Sequence, residues 1–170
     1  ERHLRLALAP SADDGRVRVA SFDARSVYTV SRGLLDALPA RPLDWRDRRI
    51  ADFQRSETRR VDVESGDGAY TVEKKTALAQ ATWHIVAPRE ARADSSRIDE
   101  LLYELDALEA TEILDATDSA VRDHGLTRPR LTLELYDKPG AMSPTVLRFG
   151  LRRDGFTAVR VNDDPYIALV

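Results

Sequence analysis

The strongest constraint on the fold of this 170-residue chain is that its end echoes its beginning. Leu4, Leu6 and Leu8 alternate with polar or small residues in HLRLALAP, and Leu131, Leu133 and Leu135 do the same in RLTLELYD. Each run meets a turn-prone stretch, SADDG (11–15) or KPGAMSP (138–144). A short apolar run follows in each case, VRVASF (17–22) or VLRFG (146–150), and each echo closes on SVYTV (26–30) or PYIALV (165–170). Side chains alternate across a strand, so period-two apolar runs predict strands with one buried face. Self-similarity of this kind predicts an internal repeat: the tail of one unit, then most of a second.

Between the echoes the periodicity changes twice. SRGLLDAL (31–38) predicts a short helix capped by Ser31, stopped by Pro39 and Pro42. PLDWRDRRIADF then predicts a partly helical connector with Leu43, Trp45, Ile50 and Phe53 as its buried contacts. TRRVDVES (58–65) and AYTVEKK (69–75) alternate around Gly66-Asp67-Gly68, which predicts a hairpin. TWHIVAP (82–88) predicts a third strand with Trp83 and Ile85 on one face. Ile98, Leu101, Leu102, Leu105 and Leu108 recur at helical spacing after the candidate caps Asp94, Ser95 and Ser96, which predicts the principal amphipathic helix. DSAVRDHGL (118–126) predicts a second helix ending at Gly125. The expected class is α+β, a mainly antiparallel sheet packed against one principal helix, with an internal structural repeat.

The chemistry is sparse. The chain has no cysteine, which removes disulfides, thiol catalysis and thiolate metal sites. A net charge of −3, with arginines interleaved with acids as in RPLDWRDRRIADF (41–53), gives no nucleic-acid footprint. No run approaches the ~18 apolar residues of a membrane span. His84 lies within a strand and reads as a packed, hydrogen-bonded residue. His124 precedes Gly125 at a helix end, where it suits the C-terminal dipole. His3 carries no inference. Asp13-Asp14-Gly15 and Asp163-Asp164-Pro165 read as turns in roughly equivalent places of the two echoes. Asp115 with Asp118, and Glu109 with Glu112, are carboxylate pairs of the kind expected by chance among 29 acidic residues. No nucleophile elbow, glycine-rich phosphate loop or metal-binding helix motif occurs. The residues thus nominate no catalytic, cofactor-binding or metal-binding side chain, and no cofactor.

The run from Trp83 to Pro129 is distinctive as a whole. It reads WHIVAP, then Ala93-Asp94, a leucine helix with LLYELDALEA, and HGLTRP (124–129). WRDRRIADF lies upstream, and a strand closing on Phe149-Gly150 lies downstream. In order and spacing this resembles the bacterial domain of unknown function DUF4340. The resemblance covers residues 43–170 as one unit, incomplete at its C-terminal end, and residues 1–42 as the tail of a preceding repeat plus connector. It implies an envelope protein with an N-terminal membrane anchor and repeated extracytoplasmic (periplasmic) domains, associated with ABC-type transporters like those of gliding motility. It transfers no catalytic residue.

Two functions are compatible with this reading. One is a non-catalytic extracytoplasmic accessory module whose partners are proteins, ABC-type transporter subunits among them. The other is an envelope hydrolase or glycan-binding domain whose site is built from distant carboxylates. A buried Asp or Glu with a raised pKa in a pocket favours the second; a surface with one large apolar or arginine-rich patch favours the first.

Overall fold

A computed structural model of the chain describes residues 6–10, 16–21, 26–38, 45–77, 80–137 and 143–170. His3, Leu4, Asp13 to Gly15, Pro39, Pro42, Leu43 and residues 138–142 lie outside the described residues. The chain divides into two compact units, Glu1–Arg46 and Asp47–Val170.

In the first unit the alternating runs become three strands, β1 (Leu6–Pro10), β2 (Arg16–Ser21) and β3 (Val27–Ser31), paired antiparallel in the order β1-β2-β3. Val17 and Val19 of the central strand are buried, while Arg16 and Arg18, which alternate with them, are exposed. The register sets Val17 opposite Val30 and Val19 opposite Tyr28. The helix expected over 31–38 shrinks to one turn, α1 (Gly33–Asp36), because Ser31 finishes β3 and its Oγ accepts the Gly33 N–H at 3.2 Å.

The second unit is a nine-stranded antiparallel sheet. Its strands are β4 (Arg60–Ser65), β5 (Gly68–Ala77), β6 (Gln80–Ala87), β7 (Ala91–Arg92), β8 (Glu112–Asp115), β9 (Leu131–Tyr136), β10 (Thr145–Arg153), β11 (Phe156–Val161) and β12 (Tyr166–Leu169). They lie in the order β7-β6-β5-β4-β9-β10-β11-β12-β8. The β4–β5 hairpin forms as the spacing predicts, closing Ser65 onto Gly68.

Two cores cover this sheet. The larger joins Val61, Val63, Val72, Trp83, Leu133, Leu135 and Leu147 to Leu102 and Leu105 of the helix α2 (Ser95–Asp106). Asp94 caps that helix, its Oδ1 accepting the backbone N–H groups of Ser96 and Arg97 at 3.1 and 3.3 Å. The smaller core joins Ala158, Ile167 and Leu126, with Leu114, Ala120 and Val121 packed on it from β8 and the helix α3 (Asp118–Asp123). Val161 packs on the larger core and Ala158, an odd number of residues away on the same strand, on the smaller. The two helices therefore cover opposite faces of the sheet, at different ends of it.

The α+β class with a mainly antiparallel sheet holds, but several expectations need correction. Trp45 is 66% exposed, and the connector's contribution to the core comes from Ala51 and Phe53. Leu108 lies beyond the end of α2 and outside the larger core; its carbonyl accepts the Ile50 N–H at 3.2 Å. The sequence reading also passes over β8 and β11. With β11 present, residues 131–170 hold four strands, and the described residues between 6 and 31 hold three.

Candidate functional site

A cleft of about 520 Å³ is bounded by the connector, β5 and one face of α2. Asp99, Leu102 and Asp106 supply the helix wall, at the i, i+3, i+7 spacing that puts residues on one face. Phe53 and buried Leu102 give it an apolar floor; Arg55, Lys74, Asp99 and Asp106 give it charge.

Trp83 organises these charges. It is fully buried, and its Nε1–H donates to Asp99 Oδ1 at 3.0 Å. Lys74, its cross-strand partner on β5, holds its ammonium 5.3 Å from the ring centroid. The Trp83 backbone N–H donates to Ser95 Oγ at 3.1 Å, tying β6 to the start of α2. Across the cleft Arg55 Nε donates to Asp106 Oδ2 at 2.9 Å, and its guanidinium carbon lies 5.1 Å from the Tyr103 ring centroid. Both carboxylates are thus committed to a protein donor. Asp99 Oδ1 and Asp106 Oδ2 are the oxygens so engaged.

The polar face of the sheet carries another, smaller cleft of about 260 Å³ beside Asp62, Glu64, Thr132 and Glu134. Its charges are cross-linked too. Arg60 pairs with Asp62 at 2.7 Å and with Glu73 at 3.6 Å, and the Asp62 hydrogen bond raises the guanidinium pKa. Tyr136 donates its hydroxyl to Glu134 Oε2 at 2.6 Å; that bond, followed by desolvation, pushes the phenol up to about 12.

The remaining candidates fall into structural places. His84 Nε2 sits 3.1 Å from Thr82 Oγ1 on the same strand, and His124 Nδ1 sits 2.9 Å from the Ala120 carbonyl at the end of α3. Asp164 Oδ1 accepts the Tyr166 N–H at 3.1 Å, and Asp163 lies 3.6 Å from Arg148, so Asp163-Asp164-Pro165 forms the turn between β11 and β12. Asp115 ends β8 and Asp118 begins α3, while Glu112 begins β8 after Glu109 bridges to Arg49. Among the described residues no three His, Asp or Glu side chains gather to hold a metal, and no helix is long and apolar enough to cross a membrane.

The stretch from Trp83 through β12 is also where a family model applies. The model described as Domain of unknown function (DUF4340) matches residues 83–170, more than half of the chain. The chain belongs to the DUF4340 family. No curated protein and no solved structure matches it. The DUF4340 match contains Trp83, Asp99, Leu102 and Asp106; Phe53, Arg55 and Lys74, which complete the cleft, lie upstream of the matched residues.

Two DUF4340 glycines sit at one crowded junction. Gly125 ends α3 with φ +72°, and a methyl group there would meet Leu151 Cγ at 2.6 Å. Gly150 of β10 packs directly onto the His124 carbonyl, which also accepts the Leu151 N–H at 2.8 Å. Sequence reasoning locates Gly125 as a helix end but has no signal for the contact with β10. The sequence reading nominates no site residue, and nothing local places Arg55 or Lys74 opposite Asp99, Leu102 and Asp106.

Proposed function

We propose that this DUF4340 chain is a non-catalytic, extracytoplasmic interaction module of a membrane-anchored protein, an accessory to an ABC-type transport assembly. The supporting observation is the cleft at Trp83, where Lys74 and Asp99 are positioned by one fully buried indole and Arg55 is fixed by Asp106. Rigidly held charges of both signs around an apolar floor suit recognition of a partner's polar segment. A hydrolase of the alternative kind needs two carboxylates free to exchange protons across a substrate; Asp99 and Asp106 are each already bonded to a protein donor. The periplasmic side of the inner membrane is the proposed location, and subunits of the transporter are the proposed partners.

The internal repeat belongs to the same proposal, in a revised alignment. Residues 1–42 are the tail of a preceding unit plus connector and residues 43–170 the next unit, with β1-β2-β3 equivalent to β10-β11-β12. Both sets are antiparallel meanders, and in both an Asp-Gly pair, Asp14-Gly15 or Asp154-Gly155, immediately precedes the central strand. Asp13-Asp14-Gly15 is therefore matched to the β10–β11 turn and not to Asp163-Asp164-Pro165.

Charge reversal tests the interaction reading. Lys74→Glu is expected to leave the fold intact and to remove partner retention; unchanged retention would sink the role of the cleft.

A further inference from the structure

We infer that the tip of the β10–β11 hairpin and the end of α3 beside it form a docking surface for an anionic phospholipid membrane, with arginines on the headgroups and Phe156 entering the interface. The inference goes beyond the role proposed for the cleft at Trp83 and does not depend on it.

Backbone contacts bring five arginines to one end of the sheet. Leu151 donates its N–H to the His124 carbonyl at 2.8 Å, which sets Arg152 and Arg153 beside the last turn of α3 and its Arg122. The Arg130 N–H donates to the Phe149 carbonyl at 2.8 Å, which brings Arg130, and Arg128 just before it, alongside the same stretch of β10. All five side chains are exposed. Elsewhere in this unit Arg49, Arg55, Arg60 and Arg148 pair with carboxylates, and Arg48 and Arg160 bond to backbone carbonyls. Among the described residues the five at this end take part in no such pair. Residues 122–130 and 151–157 set these five arginines against Asp123 and Asp154 alone, a positive end on a chain whose net charge is −3.

The form of this end favours a membrane over a protein partner. β10 pairs with β9 only as far as Phe149 opposite Leu131, and β11 joins β12 from Ala158 opposite Leu169. Residues 152–156 therefore run beyond both neighbours as a two-stranded tip. Positive φ at Asp154 (51°) and Gly155 (88°) closes that tip with a tight two-residue hairpin turn. Phe156 is exposed on it, directly opposite Arg153. A protruding tip offers little of the broad complementary area, about 800 Å² a side, that a stable protein interface buries. A lipid surface instead deforms around a protrusion. It takes an aromatic ring at the level of the headgroups, and arginine lays its aliphatic stem along the apolar layer while the guanidinium meets phosphate. Anionic headgroups supply the charge that the five arginines lack within the chain.

Sedimentation of the chain with vesicles tests this. Vesicles of phosphatidylglycerol and phosphatidylcholine in equal parts are expected to retain it at low salt, and raised salt to release it, because exposed charges are screened. Vesicles of phosphatidylcholine alone are expected to bind at least about tenfold more weakly. Arg152→Glu with Arg153→Glu is expected to show the same loss. Arg89→Glu with Arg92→Glu, an equal charge change beside β7 at the other edge of the sheet, is expected to lose far less. The chain has no cysteine, so Phe156→Cys carries a single polarity-sensitive dye to the tip. Its emission is expected to shift to the blue on the phosphatidylglycerol vesicles, while a dye on Arg92→Cys stays unchanged; this reads the contact directly if a charge-reversed variant fails to fold. No retention by these vesicles, equal losses for the two double variants, or an unshifted dye at position 156 overturns the inference. So does displacement by inorganic phosphate at the same phosphate concentration, which would make a free anion the occupant. A dye shift produced by polyglutamate and not by the vesicles overturns it too, in favour of an acidic protein segment.

Discussion

Asp99 on α2 accepts the indole N–H of fully buried Trp83 on β6 at 3.0 Å, so one hydrogen bond both seats the principal helix on the sheet and fixes a wall of the cleft beside it. Asp99→Ala leaves that N–H buried without a partner. A buried donor stripped of its acceptor costs about 1–3 kcal/mol, which urea denaturation will register as a lower midpoint. A neutral result would mean that the bond does not organise the site.

Leu102 sits beneath the same cleft and is 1% exposed among Trp83, Val72 and Leu105. Leu102→Ala is expected to cost about 2–5 kcal/mol through lost burial and a residual cavity. Leu108→Ala, outside that cluster, should cost visibly less in the same assay. Equal losses would contradict the placement of the core.

Local periodicity explains why this much was readable. Leu102 and Leu105 follow a 3.6-residue period, and Val61, Val63 and Val72 a period of two, so helix, hairpin and shared core were all legible. Trp45 misled because hydrophobicity reports a side chain's preference for burial and not its position, and Trp45 is 66% exposed. β11 was missed because FTAVRV carries adjacent buried residues, Ala158 and Val159, which serve the two faces of a sheet covered on both sides here. The cleft could not be assembled, since Arg55 and Lys74 meet α2 through long-range packing that has no local signature.

Gly150 and Gly125 supply a third check. A methyl group at Gly150 would run into the His124 carbonyl, a backbone atom that is itself bonded to the Leu151 N–H. Gly150→Ala is expected to destabilise by about 1–3 kcal/mol through overpacking. Gly125→Ala also forces a side chain into a left-handed conformation, at about 1–2 kcal/mol. Thermal denaturation of both variants is the measurement, and wild-type stability for either would contradict the close approach of α3 and β10.

Tyr136 gives a pH signature. Its bond to Glu134 raises the phenol from 10.0 to about 12, so the neutral form is favoured in the folded state. The associated stability is fully present below about pH 10 and is lost as pH climbs from there through the folded value. Ultraviolet titration should show a late ionisation step near pH 12 that belongs to Tyr136. Tyr136→Phe should remove that late step and flatten the loss of stability between about pH 10 and 12. A chain in which all tyrosines titrate together would contradict the Tyr136–Glu134 bond.

The interaction role is tested most directly by tagging the full-length parent protein, extracting it from membranes in mild detergent and identifying what purifies with the wild type and with Lys74→Glu. ABC-type transporter subunits in near-stoichiometric amounts with the wild type, and their loss with the correctly folded Lys74→Glu protein, are the expected result. A wild-type preparation without transporter subunits, or one that turns over an envelope glycan and loses that activity with Asp99→Asn or Asp106→Asn, would contradict a non-catalytic transport accessory.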